Sequence, residues 1–199
     1  MTVNERCILM KKAAGIILLA LTLCLLAGCA FGESYTRYAN VWAVSNRRLA
    51  TRTGPGTEYD EPGSFNEAGV SYRILSKAFD SRNGIWWVQV EISAGGGIYW
   101  AYTGVKRFDN LNLDAVPEEK VIGRCTTSFS LTGLYAPVPG GVVISRSIPA
   151  GVDCDIYGYV YQGDSDYILI QFYDASQGCT RRAWVSDTMV DDYEMYYGF

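Results

Sequence analysis

The sequence has 199 residues, of which 49% are hydrophobic, 14% aromatic and 19% charged, and its formal net charge is −4 at pH 7. This composition is typical of a folded globular protein and excludes an intrinsically disordered chain. Histidine is absent, which excludes Ser-His-Asp and Cys-His catalysis, histidine-ligated zinc and imidazole-based pH switching. Lysine and arginine form no cluster that could follow a phosphate backbone, so we expect no nucleic-acid partner.

The N-terminal segment has the pattern of an export signal. Lys11 and Lys12 precede an uncharged run of 15 residues, from Ala13 to Ala27, that consists mostly of Leu, Ile and Ala. A membrane-spanning helix needs about 20 apolar residues, whereas the apolar part of a signal peptide has about 7 to 15. The run therefore predicts an N-terminal signal helix that is removed on export.

The end of this run indicates the kind of signal. Leu26-Ala27-Gly28-Cys29 resembles the bacterial lipobox, in which a peptidase cuts before a cysteine that carries a diacylglyceryl thioether. We therefore expect a lipoprotein signal peptide at residues 1–28 and lipidation of Cys29, which makes the protein extracytoplasmic and lipid-anchored to the cell membrane. Secretion with cleavage after Ala30 and retention as an uncleaved anchor are the alternatives.

Two parts of the remaining chain resemble each other. Ala68-Gly69-Val70 recurs as Ala150-Gly151-Val152, and Val88–Ile92 matches Ile168–Phe172 after 80 residues. Such offsets drift by a few residues when strands are retained and the loops between them vary in length. The chain is therefore expected to contain one structural unit twice.

Trp100 also matches Trp184, after 84 residues, and the segment between the two halves is polar and contains a proline, as in a linker. The sequence therefore predicts two related domains joined by short segments. They are a tether at 29–43, a first domain at 44–108, a linker at 109–124, a second domain at 125–192 and a tail at 193–199.

Within each half, apolar residues recur with a period of two. Val88, Val90 and Ile92 alternate with Trp87, Gln89 and Glu91, so a strand there is expected to bury the first set and expose the second. Asn-Gly just before this strand and three consecutive glycines just after it are turn signals. Short strands separated by such turns predict small all-β barrels.

Three motifs of the first half are similar to one known family. Leu49–Phe65, LATRTGPGTEYDEPGSF, resembles the opening of bacterial Src-homology-3 domains, whose usual form is Leu-x-x-Arg-x-Gly-Pro-Gly-Thr-x-Tyr. Asn83–Ile92 is similar to the Trp-aromatic-x-Val strand of that family, and Ile98–Phe108 to its closing Gly-Trp-Val segment, with Tyr99 at the usual glycine. The second half keeps the Ala-Gly-Val turn, the central strand and AWVSDTMV, but has Leu134–Pro139 in place of Gly-Pro-Gly.

The resemblance implies an all-β fold with two tandem Src-homology-3-like barrels, the second of them degenerate. In that family the barrel is usually an accessory module of cell-envelope proteins, and in some relatives it binds peptidoglycan. We therefore expect a non-catalytic envelope lipoprotein that binds a peptidoglycan peptide or an envelope protein, without a cofactor or a bound metal. A purely structural subunit of an envelope complex is the alternative.

A cell-wall hydrolase is a third hypothesis, and it needs two carboxylates about 5 to 10 Å apart. Glu58, Glu61 and Glu67 are the carboxylates nearest the expected groove. Nothing in the sequence pairs or buries them, so no catalytic residue is assigned and no enzymatic activity is expected.

Aromatic residues of the first half are the candidates for ligand binding. Trp87 is placed on the outer face of its strand, where it either stacks on a ligand or is covered by another loop or by the second barrel. The other candidates could line the same groove, as in barrels that capture extended peptides. They are Tyr59, Tyr99, Trp100 and Tyr102.

Six cysteines are present, of which Cys7 and Cys24 lie in the signal and Cys29 is the expected lipid site. The other three all lie in the second half, so at least one of them stays unpaired or bonds another chain. A disulfide between Cys154 and Cys179 is the favoured pairing, because it would close a loop and support a small, degenerate barrel. Cys125 is then the unpaired thiol.

Replacing Cys29 with alanine is expected to abolish metabolic labelling of the protein with a palmitate analogue, because the thioether acceptor is lost. Gel detection of the label in cells that express either form checks this, with total protein measured by an antibody. A labelled Cys29→Ala variant would contradict lipidation at this residue.

Overall fold

The structure is a computed structural model that describes residues 38–65, 68–162 and 165–196. These residues are all-β, with two five-stranded antiparallel sheets, short 3-10 turns and no α-helix among them. No helix in this part of the chain is long and apolar enough to cross a membrane. The expected signal helix at 1–28, the lipidation site Cys29 and Glu67 lie outside the described residues.

The first sheet has the strand order β6-β5-β4-β1-β7. β2 and β3 form a separate two-stranded ladder, and a 3-10 turn at Val105–Arg107 leads from β6 into β7. The strands are β1 Val41–Ser45, β2 Leu49–Ala50, β3 Ser64–Phe65, β4 Ser71–Asp80, β5 Ile85–Ala94, β6 Gly97–Gly104 and β7 Phe108–Asp109.

The second sheet has the order β11-β10-β9-β8-β12, which is the order of the first sheet strand for strand. A 3-10 turn at Asp187–Met189 leads from β11 into β12, as Val105–Arg107 does in the first half. The strands are β8 Gly123–Thr127, β9 Asp153–Gln162, β10 Ser165–Asp174, β11 Cys179–Ser186 and β12 Val190–Met195.

Strand register corrects one of the matched pairs. Glu91 lies opposite Trp100 on the β5–β6 ladder, whereas Leu169, the counterpart of Gln89, lies opposite Trp184. Trp184 therefore occupies the position of Tyr102 rather than that of Trp100. The β10–β11 turn is two residues longer than the β5–β6 turn. The number of residues between matched positions of the two halves therefore grows from 80 before the turn to 82 after it, and not to 84.

The repeated Ala-Gly-Val segments are turns held in the same way. Gly69 and Gly151 have φ angles of +84° and +71°, a region that glycine occupies without strain. The amide of Gly69 donates to the Ser45 carbonyl at 2.7 Å, and the amide of Gly151 donates to the Thr127 carbonyl at 2.8 Å. The hydroxyls of Ser45 and Thr127 accept from the valine amides that follow, at 3.3 and 3.0 Å.

Burial on β5 follows the predicted alternation on one face only. Val88, Val90 and Ile92 are buried as predicted. Of the three side chains expected to be exposed, Trp87 and Gln89 are buried too, with 6% and 1% accessible, and Glu91 is half-buried. Residues of the loop after β2 line the groove together with Trp87, and residues of the second half surround Gln89. The prediction of an exposed outer face was wrong because tertiary contacts cover it.

Each half has its own apolar core, and a third cluster joins them. Leu75 and Trp100 from the first half pack with Ala136, Leu169 and Trp184 from the second. We call this cluster the seam. The described residues accordingly belong to one compact unit.

The segment predicted as a linker is packed rather than free. Val116 is buried in the first core and Ile122 in the second. The backbone of Lys77 on β4 exchanges hydrogen bonds with the Pro117 carbonyl and the Glu119 amide, both at 2.8 Å. This pairing brings the Glu119 side chain towards the seam.

Two hairpin turns begin with an aspartate whose carboxylate accepts hydrogen bonds from the turn. Burial acts to raise the pKa of Asp80, but hydrogen bonds from Asn83 and Arg82 outweigh it and lower that pKa. Hydrogen bonds from Ser176 lower the pKa of Asp174, burial opposes them, and Arg181 adds to the lowering through an ion pair of 3.0 Å. Both carboxylates therefore stabilise the fold as anions.

Replacing Asp174 with asparagine is expected to destabilise the protein by about 1 to 3 kcal/mol at pH 7, since a charged hydrogen-bonding group is lost. A carboxyl whose folded pKa is lowered stabilises fully above its ordinary pKa of about 4, and this contribution is lost as pH falls through the folded value. Urea unfolding between pH 7 and pH 3 should show a smaller loss of stability with acid in Asp174→Asn than in the wild type. Asp191→Asn, at an exposed position, is the control, and an unchanged acid dependence in Asp174→Asn would contradict the assignment.

Candidate functional site

A groove of about 520 Å³ lies on the first half, and all of its lining residues belong to that half. Its walls come from the end of β2 and the loop after it, the start of β5, and the end of β6 with the 3-10 turn that follows. The lining residues are Ala50, Arg52, Thr57, Gly84, Ile85, Trp86, Trp87 and Gly104–Arg107.

Two adjacent tryptophans give the groove its aromatic surface. Trp86 is half-buried and packs against exposed Phe79, its register partner on β4, with ring centroids 5.1 Å apart. The ammonium of Lys77 lies 5.3 Å from the Trp86 ring centroid. Such flat, amphipathic surfaces are suited to stacking on a ligand.

Trp87 forms the inner wall of the groove. Its indole Nε1 is buried and has no hydrogen-bond partner among the described residues. A buried donor without an acceptor is costly to the folded state.

The charged residues that line the groove are all basic: Arg52, Lys106 and Arg107. Arg52 is ion-paired with Glu61, and Arg107 donates to the Arg48 carbonyl at 2.9 Å. Lys106 is exposed. The rim therefore carries positive charge that could attract an anionic ligand.

The other predicted ligand-binding aromatics do not line this groove. Trp100 packs edge-on against Trp184 in the seam at a centroid distance of 5.6 Å, and its Nε1 donates to Glu91 at 3.0 Å. Tyr99 packs against Tyr135 of the second half at 5.3 Å. Of the five candidates, the structure places only Trp87 in the groove, and the other four contact residues of the second half.

Tyr102 and Tyr59 belong to a polar network at the seam. The Tyr102 hydroxyl donates to Glu119 Oε1 at 2.6 Å and accepts from Arg182 Nη1 at 2.9 Å. The Tyr59 hydroxyl donates to Gln171 Oε1 at 2.7 Å. Burial raises the pKa of both tyrosines, and for Tyr102 the neighbouring Glu119 raises it further, so both stay protonated donors.

Arg182 is the centre of this network. Its Nη1 donates to Glu119 Oε2 at 2.6 Å, and both side chains are 3% accessible. Its Nε donates to Gln171 at 2.9 Å, and the guanidinium lies 3.9 Å from the Tyr157 ring centroid. Burial acts to lower the pKa of Arg182, but Tyr102 and Glu119 outweigh it and raise that pKa, so the charge persists.

The second half does not repeat the groove's chemistry. Asp166 and Tyr167 stand at the positions of Trp86 and Trp87, and the 3-10 turn Asp187–Met189 begins with an acidic residue. Burial and the nearby Asp166 raise the pKa of Asp187. The basic, tryptophan-lined surface is thus a property of the first half.

Sequence reasoning missed Trp86, Lys106 and Arg107. Alternation placed Trp86 on the buried face with Val88, but at the start of β5 it faces the groove and is only half-buried. The available signal was the Trp-Trp pair itself. Neighbouring residues of a strand point to opposite faces, and where only one sheet is predicted the two faces cannot both be core. The two basic residues carried no local signal, since their position depends on the 3-10 turn.

Two of the three carboxylates of the hydrolase hypothesis are engaged in ion pairs, and Glu67 lies outside the described residues. Glu58 faces Arg82 at 3.4 Å and Glu61 is ion-paired with Arg52. Within the described ranges there is no group of three or more Cys, Asp or Glu side chains that could hold a metal ion.

The predicted Cys154–Cys179 disulfide does not fit the strand order. Cys154 lies on β9 opposite Cys125 of β8, whereas Cys179 lies on β11, and β10 separates β9 from β11. Two strand spacings amount to about 10 Å, which exceeds the roughly 7 Å limit between the Cα atoms of a disulfide. All three cysteines are free thiols here.

Comparisons with models of known protein families, with curated proteins and with solved structures found no match to this chain. A function therefore has to be inferred from the residues of the groove and of the seam.

Replacing Arg182 with methionine is expected to destabilise the protein by about 3 to 5 kcal/mol, because it leaves Glu119 buried without its counter-charge. The double variant Arg182→Met/Glu119→Leu should recover much of this loss, since no uncompensated charge remains. Denaturant unfolding followed by circular dichroism measures both.

Arg124→Met is the matched control. Arg124 pairs with Asp155 at 3.3 Å at an exposed position, and removing such a pair costs about 1 kcal/mol or less. Equal losses in Arg124→Met and Arg182→Met would show that the seam network is not the stabilising feature described here.

Proposed function

We propose that this protein is a non-catalytic binding module of the bacterial cell envelope, and that the tryptophan groove of its first half holds an extended, carboxylate-bearing peptide. The observation that carries the proposal is the groove itself. It combines an aromatic surface with a rim whose charged residues are all basic.

We further propose that each half is a Src-homology-3-like barrel. Support comes from the strand order, which is the same in both sheets, and from the 3-10 turn before the last strand of each. The motifs LATRTGPGTEY and NGIWWVQVEI fall on the loop and the strand that line the groove. In this proposal the second barrel has lost its own groove and serves as support.

The ligand class follows from the groove's chemistry. An extended peptide offers apolar surface to Trp86 and Trp87, and its carboxylates would pair with Lys106 and Arg107. Peptidoglycan stem peptides and acidic segments of envelope proteins both have this chemistry. A membrane anchor at Cys29, as the sequence predicts, would hold the module close to either ligand.

Co-sedimentation of the full chain with purified cell-wall sacculi tests the proposal. Trp86→Ala should weaken binding about tenfold or more, as expected for a central aromatic anchor. Trp42→Ala is the matched control, since Trp42 is 60% accessible and does not line the groove. A competing acidic envelope peptide distinguishes the two ligand sources.

The basic rim has a test of its own. Lys106→Glu should weaken binding of a carboxylate-bearing peptide, and added salt should weaken wild-type binding, because exposed charges are screened within about 10 Å at 0.1 M salt. Lys120→Glu, at an exposed position that does not line the groove, makes the same charge change. Equal effects of the two substitutions would contradict binding at the rim.

The remaining outcomes separate the alternatives. Release of soluble fragments from sacculi would favour the carboxylate hydrolase. Absence of both sedimentation and release, together with no binding of acidic peptides, would favour a structural subunit whose exposed aromatics contact another protein.

A further inference from the structure

Cys125 and Cys154 are direct register partners on neighbouring antiparallel strands. Residues that face each other in this way have Cα atoms about 4.5 to 5.5 Å apart, within the range of about 4.4 to 6.8 Å found in disulfides. Both side chains point into the core of the second half, with 3% and 4% accessibility. The backbone therefore already has the spacing that a disulfide needs.

The two thiols also interact with each other. The hydrogen bond from Cys154 lowers the pKa of Cys125, although burial and Asp155 oppose this, and the same bond raises the pKa of Cys154. Thiolates rather than thiols attack disulfides. The direction of these shifts favours Cys125 as the attacking thiolate and Cys154 as the resolving thiol.

A surface depression of about 540 Å³ adjoins the pair, whose side chains are themselves buried. The charged residues that line it are Arg124, Asp153, Asp155 and Asp192. Three carboxylates against one guanidinium give the mouth a net negative charge. A cationic disulfide should therefore enter more readily than an anionic one.

We propose that Cys125 and Cys154 are a disulfide-forming pair that is oxidised by exchange with an external disulfide. The Cys125 thiolate attacks one sulfur of the external disulfide, which forms a mixed disulfide and releases one thiol. Cys154 then loses its proton and attacks the Cys125 sulfur, which forms the Cys125–Cys154 bond and releases the second thiol. The two cysteines are oxidised by two electrons in total, and the external disulfide is reduced to two thiols.

The bond would close the irregular segment between β8 and β9 at its base. Part of this segment packs on the first half: the Ile98 amide donates to the Gly140 carbonyl at 2.9 Å, and the Trp100 amide to the Tyr135 carbonyl at 3.3 Å. Fixing the two ends lowers the entropy of the unfolded chain. Oxidation would therefore stabilise the second half, which lacks a regular Gly-Pro-Gly turn. It would also stabilise the part of that half that packs against the first.

The test uses the full chain carrying Cys179→Ser, so that the half-buried third thiol does not react. The native protein is incubated with cystamine, a small cationic disulfide, and examined by mass spectrometry with peptide mapping. The expected product links Cys125 to Cys154, with loss of two hydrogen atoms and no retained cysteamine on either residue. Its thermal midpoint should exceed that of the reduced protein by about 5 to 10 °C.

Single variants identify the attacking thiol. Cys154→Ser should accumulate a mixed disulfide on Cys125, whereas Cys125→Ser should react several-fold more slowly. The anionic reagent dithiodiglycolate should oxidise the pair more slowly than cystamine at low salt, and the difference should shrink as salt is added. Circular dichroism spectra of all variants verify that they are folded.

Three results would overturn the proposal. The first is an intrachain disulfide from Cys179 to either partner in the wild-type chain. The second is formation of the Cys125–Cys154 bond only after unfolding in denaturant. The third is formation of mixed disulfides equally fast on both single variants. Binding to sacculi is measured separately, so failure of the disulfide leaves the groove's function unaffected.

Discussion

The buried charge of Arg182 fixes how the two halves of this protein meet. A guanidinium removed from water is stabilised only if its counter-charge and hydrogen-bond acceptors are in place, and here they come from separate segments. Glu119 comes from the segment between the sheets, Tyr102 from β6 and Gln171 from β10. Because a displaced half would leave this charge uncompensated, the network specifies one arrangement of the two sheets.

Local irregularities in the strands make this arrangement possible. Register shifts on β4 and β9 leave Leu75 and Tyr157 without a cross-strand partner, as in β-bulges. Leu75 is fully buried in the seam, and Tyr157 lies against Arg182. Gly158 follows, where a Cβ atom would come within 2.9 Å of the Trp184 ring. Corresponding bulges thus direct side chains from both sheets to the shared interface.

The seam also explains why two halves with the same strand order differ in surface chemistry. Contacts with the second half and with Glu119 take up Trp100, Tyr102 and Tyr59. Trp86 and Trp87 lie at the other end of the sheet and keep their groove. The counterpart surface of the second half has Asp166 and Tyr167 instead. One half is thus the support and the other presents the proposed binding surface.

Sequence alone determined the features that depend on neighbours along the chain: an all-β composition, the β5 core residues Val88, Val90 and Ile92, and the paired Ala-Gly-Val turns. It also singled out Trp87, as either a ligand contact or a covered side chain. Tertiary structure alone decided that Gln89 is buried, that Trp184 corresponds to Tyr102, and that Cys154 faces Cys125. The physical reason is that a period of two shows which residues share a face, whereas register, bulges and the covering of the second face depend on contacts between segments far apart in the chain.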